Sequence, residues 1–264
     1  KCVAPYMLGL SATMTRKDGL TRVFKMFLGD VIHSEKNDTS REVVVRAIEY
    51  SSHDDDFNEI RLDYRGNPLY SCMISKLCEH GNRTEFVLNV LKDVLSENFN
   101  QQIIMLAHNK SILMYIYEAI RSRGIADGNV GFYVGGMKEK DLKLSETCKV
   151  ILATYSMAAE ALDIKTLTTL FLLTPKTDVQ QAVGRILRTK DNDPLVIDFV
   201  DTHGIFQNQW KKRKTFYNKQ NYKVFYITKD KYIENSNFVD NNTNWNNLSS
   251  KRNTSKKPTK CLFS

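Results

Sequence analysis

Gln102-Ile103-Ile104-Met105-Leu106-Ala107, then His108-Asn109, then Lys110-Ser111-Ile112-Leu113-Met114-Tyr115-Ile116-Tyr117-Glu118-Ala119-Ile120-Arg121-Ser122, is the stretch that decides the fold. The first six residues form a short, nearly unbroken apolar run, as in a strand covered on both faces. The last thirteen place Ile112, Tyr115, Ile116, Ala119 and Ile120 on one stripe, the spacing of a helix lying on a sheet. Working outward, apolar runs at 130–134, 149–153, 169–173, 195–200 and 223–227 alternate with amphipathic stretches at 137–142, 179–188 and 206–220. This alternation predicts an α/β fold, a mostly parallel sheet flanked by helices. Right-handed crossovers then place every strand-to-helix loop along one edge, where such sheets bind ligands.

The first hundred residues follow this rhythm less closely. A buried strand is expected at 6–10, a helix at 17–28 ending on Gly29, a strand at 42–50 and helices at 69–80 and 83–97. Between them, 51–66 is acid-rich, with Asp54-Asp55-Asp56, and reads as a loop. The chain opens on a strand without an initiator Met, as expected of a piece of a longer polypeptide. Beyond Asp230 the composition turns to Asn, Ser, Lys and Thr, and such a segment buries too little apolar surface to offset its ordering entropy.

The 264 residues suffice for one large domain or two small ones, and no apolar run is long enough to span a bilayer. No secretory signal is recognised, and Cys2, Cys72, Cys78, Cys148 and Cys261 are scattered without metal-ligand spacing. They read as reduced packing thiols of an intracellular protein, and no metal site is expected. The formal charge is +8, but residues 205–264 carry 13 Lys+Arg against 3 Asp+Glu, leaving residues 1–204 at −2. The basic run Trp210-Lys211-Lys212-Arg213-Lys214-Thr215-Phe216-Tyr217 is open to two readings, phosphate contact or a solvated helix with packed aromatics. The five histidines stand singly, away from any nucleophile, and Gly135-Gly136 opens no dinucleotide fingerprint.

The strongest local signal is Gln181-Ala182-Val183-Gly184-Arg185-Ile186-Leu187-Arg188. On a helix, Gln181, Arg185 and Arg188 fall at i, i+4 and i+7 and project together, while Val183, Ile186 and Leu187 face a sheet. Two guanidinium groups one turn apart suit a polyanion, because each donates in pairs to phosphate oxygens and stays charged. An ordinary solvated basic face has the same spacing.

The segment resembles motif VI of superfamily 2 helicases, in the C-terminal RecA-like lobe. Residues 153–164 (Ala153-Thr154-Tyr155-Ser156-Met157-Ala158-Ala159-Glu160-Ala161-Leu162-Asp163-Ile164) are similar to motif V, with Ala161 where the family usually has Gly. Leu10-Ser11-Ala12-Thr13 resembles motif III, and 102–106 with Asn109-Lys110-Ser111 resembles motif IV. The closest resemblance is to XPB-like and large-DNA-virus helicases, carried also by residues 8–19 and by Val200-Asp201-Thr202-His203-Gly204 on to Arg213 and Tyr217. It covers about residues 1–228.

The resemblance implies a lobe of an ATP-dependent helicase or translocase, acting on nucleic acid, DNA being expected over RNA. It implies Arg185 and Arg188 as arginine fingers, helped by Gln181, that stabilise charge on a transferred phosphoryl group. Asp163, able to accept a ribose hydroxyl, and Gly184 would face the nucleotide. Ser11, Thr13, Asn109, Lys110, Thr154 and Ser156 would couple the lobes or hold the strand. Residues 1–29 would end a first, ATP-binding lobe, 30–98 would connect, 99–229 would form the second lobe and 230–264 a basic tail.

The sequence contains no G-x-x-x-x-G-K-[ST] loop and no acidic D-E-x-H motif. ATP and Mg²⁺ would therefore be held mainly by an N-terminal lobe of the same polypeptide, and the chain alone is expected to be inactive. The rival is a non-catalytic RecA-like module that binds nucleic acid or docks a partner.

Overall fold

A computed structural model describes residues 6–9, 19–33, 42–160, 163–186 and 194–236. It divides into two compact units, Lys1–Ser40 and Arg41–Ser264. In the first, residues 6–9 form no strand and Tyr6 is 92% exposed, contrary to the expected buried strand. A strand's backbone groups need a paired neighbour, and the described residues of this unit offer none. Helix α1 (Thr21–Leu28) ends on Gly29, whose φ of 83° is open to glycine at little cost.

The second unit is built on seven parallel strands: β1 (Val44–Tyr50), β2 (Gln102–Ala107), β3 (Val130–Tyr133), β4 (Val150–Thr154), β5 (Leu167–Leu172), β6 (Leu195–Asp201) and β7 (Lys223–Thr228). Their order is β3-β4-β2-β5-β6-β1-β7. The helices are α2 (Asp55–Asn58), α3 (Tyr70–Glu79), α4 (Gly81–Glu97), α5 (Lys110–Ser122), α6 (Glu139–Glu146), α7 (Tyr155–Glu160), α8 (Gln180–Ile186), α9 (Gly204–Lys219) and α10 (Lys229–Ser236). Successive strand residues point to opposite faces, so Ile103, Met105 and Ala107 join one core, with α3, α4 and α5, while Ile104 and Leu106 join the other, with α7 and α8.

Several boundaries moved for identifiable reasons. β5 starts at Leu167 rather than 169, because Thr169 Oγ1 donates to Gln101 Oε1 at 2.6 Å and Thr168 Oγ1 to the Gln102 carbonyl at 3.3 Å. Those bonds let two hydroxyls sit in a buried strand. Helix α6 starts later than expected, after a turn in which Gly136 has φ +92°, and its first turn carries Glu139 and Asp141, which suit a helix N-terminus. The acid-rich loop contains α2, where Asp54 caps the Asp56 N–H at 3.0 Å and Phe57 is buried against Tyr50 and His203.

Residues 44–97, expected to connect into the lobe, are part of it: β1 lies between β6 and β7, and α3 and α4 pack on its core. The tail expected to be disordered begins with α10. There Tyr232 is buried 5.6 Å from Phe86, and its hydroxyl donates to Asp93 at 2.7 Å. Its later residues, including the basic cluster at 251–260, lie outside the described residues.

Candidate functional site

Strand register builds the site. Ala107 pairs with Thr154, Leu106 with Leu172 and Tyr133 with Ala153. The C-terminal ends of β3, β4, β2 and β5 therefore line one edge, continued by residues 134–138, by the start of α7, by residues 108–109 with the start of α5, and by residues 173–179.

Asn109 occupies the N-cap position of α5 in extended backbone (φ −103°, ψ 140°), yet its side chain does not cap the helix. Its Nδ2 donates instead to Ser75 Oγ on α3, at 3.3 Å. Lys110 is exposed and its Nζ donates to the Gly135 carbonyl at 2.9 Å. Thr154 is buried at the end of β4, with Oγ1 3.2 Å from Ser156 Oγ, and Ser156 is exposed on α7. The segments that resemble motifs IV and V thus meet at one sheet edge.

On α8, Val183 and Ile186 are buried, Gln181 is exposed and Arg185 is half-buried. Arg185 Nη2 donates to the Ala159 carbonyl on α7 at 2.8 Å, which joins the motif V and motif VI segments. A Cβ built on Gly184 would meet nothing within 4 Å, so its surroundings are open. Asp163 is exposed in the connection between α7 and β5. Ser11, Thr13 and Arg188 lie outside the described residues.

In the basic run 210–217, Arg213 turns inward: it is 1% exposed, and Nε and Nη2 each donate to Asp198 at 2.8 Å. Tyr217 donates to the same carboxylate at 2.9 Å. Residue 213 falls on the inward stripe of α9 with Phe206, Trp210 and Tyr217, while Lys211, Lys212 and Lys214 are exposed. Arg83 is buried likewise, its Nε 2.6 Å from Asp201.

Residues without a motif also gather at this edge. His108 Nδ1 lies 2.8 Å from Thr174 Oγ1, and the His108 N–H donates to the same oxygen at 3.0 Å. Burial, helped by the charge of Lys176, pushes the His108 imidazole down to about 4, so it is neutral at physiological pH. The Tyr155 hydroxyl, fully buried and pushed far up, donates to the Thr174 carbonyl at 2.7 Å. No sequence signal marks these groups, since 66 positions separate His108 from Thr174. Among the described residues, no three of His, Cys, Asp and Glu are grouped to hold a metal, and no helix is long and apolar enough to cross a membrane.

A parallel sheet in this order, flanked on both faces and carrying the three motif segments on one edge, is that of a RecA-like helicase C-terminal domain. The chain is a superfamily 2 helicase-like C-terminal half. No family model matches it. The "Putative ATP-dependent RNA helicase L396" of Acanthamoeba polyphaga mimivirus is 35% identical over 244 residues, 88% of this chain and 46% of that protein. The "Putative ATP-dependent RNA helicase QP509L" of African swine fever virus (isolate Pig/Kenya/KEN-50/1950) is 26% identical over 238 residues, 83% and 46% of the two chains. The "Probable helicase D10" of Escherichia phage T5 is 25% identical over 243 residues, 88% and 51%. The chain spans about half the length of the curated relatives it matches. Among solved structures, T4 UvsW shares the fold with a TM-score of 0.53 at 16% identity, over 72% of this chain and 42% of that one. S. cerevisiae Dbp5 bound to RNA and ADP BeF3 does so with 0.52 at 12%, over 90% and 54%.

Proposed function

We propose that the chain is the C-terminal motor lobe of an ATP-dependent nucleic-acid helicase or translocase. Arg185 and Arg188 act as arginine fingers toward ATP held mainly, with Mg²⁺, by an N-terminal lobe of the same polypeptide. The observation that carries this reading is the 2.8 Å bond from Arg185 to the Ala159 carbonyl, which ties the arginine helix to the segment that follows β4. A phosphate oxygen is a better partner for a guanidinium than a neutral carbonyl, since both members of that pair are charged.

The residues fit one wall of a nucleotide site and no more. Gln181, Arg185 and the open space at Gly184 share α8, and Asp163 is exposed, but among the described residues no three of His, Cys, Asp and Glu are grouped to hold a metal. ATP, when bound, supplies the free energy of phosphoryl transfer; the arginines stabilise the charge that develops there. Asp163 accepts a ribose hydroxyl. The N-terminus of α5 with Asn109 and Lys110, together with Thr154 and Ser156, holds backbone phosphates, as hydroxyls and helix N–H groups do. Nucleic-acid binding is supported by the names of the relatives, which speak of RNA helicases, whereas DNA is the polymer expected from the sequence; both enter the test.

The test is steady-state ATPase of the two-lobed polypeptide, with and without single-stranded DNA or RNA. Arg185→Ala and Arg188→Ala are each expected to lower stimulated turnover by about 10³-fold, the lower range for arginine fingers. Turnover equal to wild type refutes the finger assignment. The 264-residue chain alone is expected to show no turnover. Strand binding without turnover in the two-lobed protein favours the non-catalytic module instead.

A further inference from the structure

The loop between β5 and α8 is held in an unusual way. Four successive main-chain carbonyls each accept a hydrogen bond from a side chain of a different element. Arg83 Nη2 of α4 donates to Leu173 O at 2.8 Å, and the Tyr155 hydroxyl, at the start of α7, to Thr174 O at 2.7 Å. The Tyr70 hydroxyl of α3 donates to Pro175 O and Arg213 Nη1 of α9 to Lys176 O, both at 2.8 Å. Loop carbonyls ordinarily find water or a turn partner. Here the loop that launches the arginine helix takes its position from four elements at once.

The fifth tie joins it to the loop carrying Asn109 and Lys110. The β2–β5 ladder runs to the Leu173 N–H, which donates to the Leu106 carbonyl at 2.9 Å. One rung further on, the Thr174 hydroxyl stands in for a main-chain acceptor: it accepts the His108 N–H at 3.0 Å and reaches His108 Nδ1 at 2.8 Å. A hydroxyl has one proton and two acceptor lone pairs, so beside the main-chain N–H it can pair with Nδ1 in either tautomer of the ring. The ring is neutral, in keeping with its burial, and bonds the hydroxyl through Nδ1. The Tyr155 ring lies 4.8 Å from the His108 ring and 4.5 Å from Lys176 Nζ, which closes the junction.

We propose that Thr174 and His108 form a latch that couples strand occupancy at Asn109 and Lys110 to the position of α8. The latch rests on the motor reading above. Both are positioning residues. A phosphate seated at the start of α5 moves the residue next to His108; the Thr174 hydroxyl passes that displacement to a loop whose other end is α8. Side-chain hydrogen-bond networks between packed elements are a physical route for such coupling.

The experiment measures ATPase of the full-length polypeptide against single-stranded nucleic acid for wild type, Thr174→Val, Thr174→Ser and His108→Gln, with thermal midpoints as the check on folding. Thr174→Val removes the hydroxyl at nearly constant volume. It is expected to lower the ratio of stimulated to unstimulated turnover by about fivefold or more, the lower range of coupling between sites, while the half-saturating concentration of nucleic acid changes by less than about twofold. Thr174→Ser restores the ratio. His108→Gln keeps the main-chain bond, loses the ring bond and shifts the ratio in the same direction, so it decides the matter if Thr174→Val does not fold. A folded Thr174→Val or His108→Gln stimulated like wild type overturns the latch alone. Failure of serine to rescue a folded valine variant also overturns it. A wild type that no nucleic acid stimulates overturns the motor reading, and the latch with it.

Discussion

Replacing Arg213 with methionine tests how the lobe tolerates charge in its core. Asp198, fully buried, accepts two bonds from Arg213 at 2.8 Å and one from Tyr217 at 2.9 Å. Arg213→Met leaves that carboxylate with a single phenolic donor and strips the Lys176 carbonyl of its partner. Breaking a buried pair from one side costs about 3–5 kcal/mol, and the lost guanidinium bond to the Lys176 carbonyl adds about 1 or more. Domains are stable by only about 5–15 kcal/mol, so the variant is expected near the edge of unfolding. With a urea slope of about 2–3 kcal/mol/M, the midpoint followed by circular dichroism falls by about 1.5–3 M. Adding Asp198→Leu and Tyr217→Phe removes the stranded charge and its phenol together and is expected to regain most of the loss. A single-variant loss under about 1 kcal/mol, the range of exposed pairs, refutes the reasoning, as does a combination no more stable than Arg213→Met.

Gly131→Ala is expected to destabilise the lobe by about 1–3 kcal/mol, measurable as a lowered thermal midpoint, because the added Cβ would lie 2.9 Å from Ser145 Cα in α6. An unchanged midpoint would show that α6 shifts freely on β3. For His108 the folded value of about 4 lies below the ordinary 6.5, so the unfolded chain takes up the proton first. Stability is full above pH 6.5 and declines as pH falls toward 4, with a slope of at most about 1.4 kcal/mol per unit, less whatever solvent screening of the partly exposed ring removes. His80 is depressed by burial in the same direction, so the readout is the shallower urea-midpoint slope of His108→Gln against wild type. Identical slopes in the two proteins exclude His108 as a contributor.

Much of the fold was legible in the sequence because its signals are local. The run 102–107 and the stripe of 110–122 became β2 and α5 at their expected bounds, although Tyr115, counted on the buried stripe, is exposed, its hydroxyl donating to Glu85, and Leu113 is buried in its place. The α8 spacing placed Gln181 outward and Val183 and Ile186 inward as expected. Phe57 and Tyr232 were harder. Each is one aromatic in a polar stretch, and only the arrival of distant residues, Tyr50 and His203 for one, Phe86 and Asp93 for the other, makes its burial favourable.

By itself, then, the sequence determined the class of sheet, the edge on which its loops fall and the inward and outward faces of α8, because periodicity and residue chemistry act over a few neighbouring positions. Only the tertiary structure decided that Arg213 is a buried counter-ion rather than a phosphate contact, that β1 belongs inside the sheet, and that Thr174 meets His108. Those outcomes depend on which partners arrive across 15 to 179 positions of chain. Desolvation rewards a charge or hydroxyl only where such a partner is already in place.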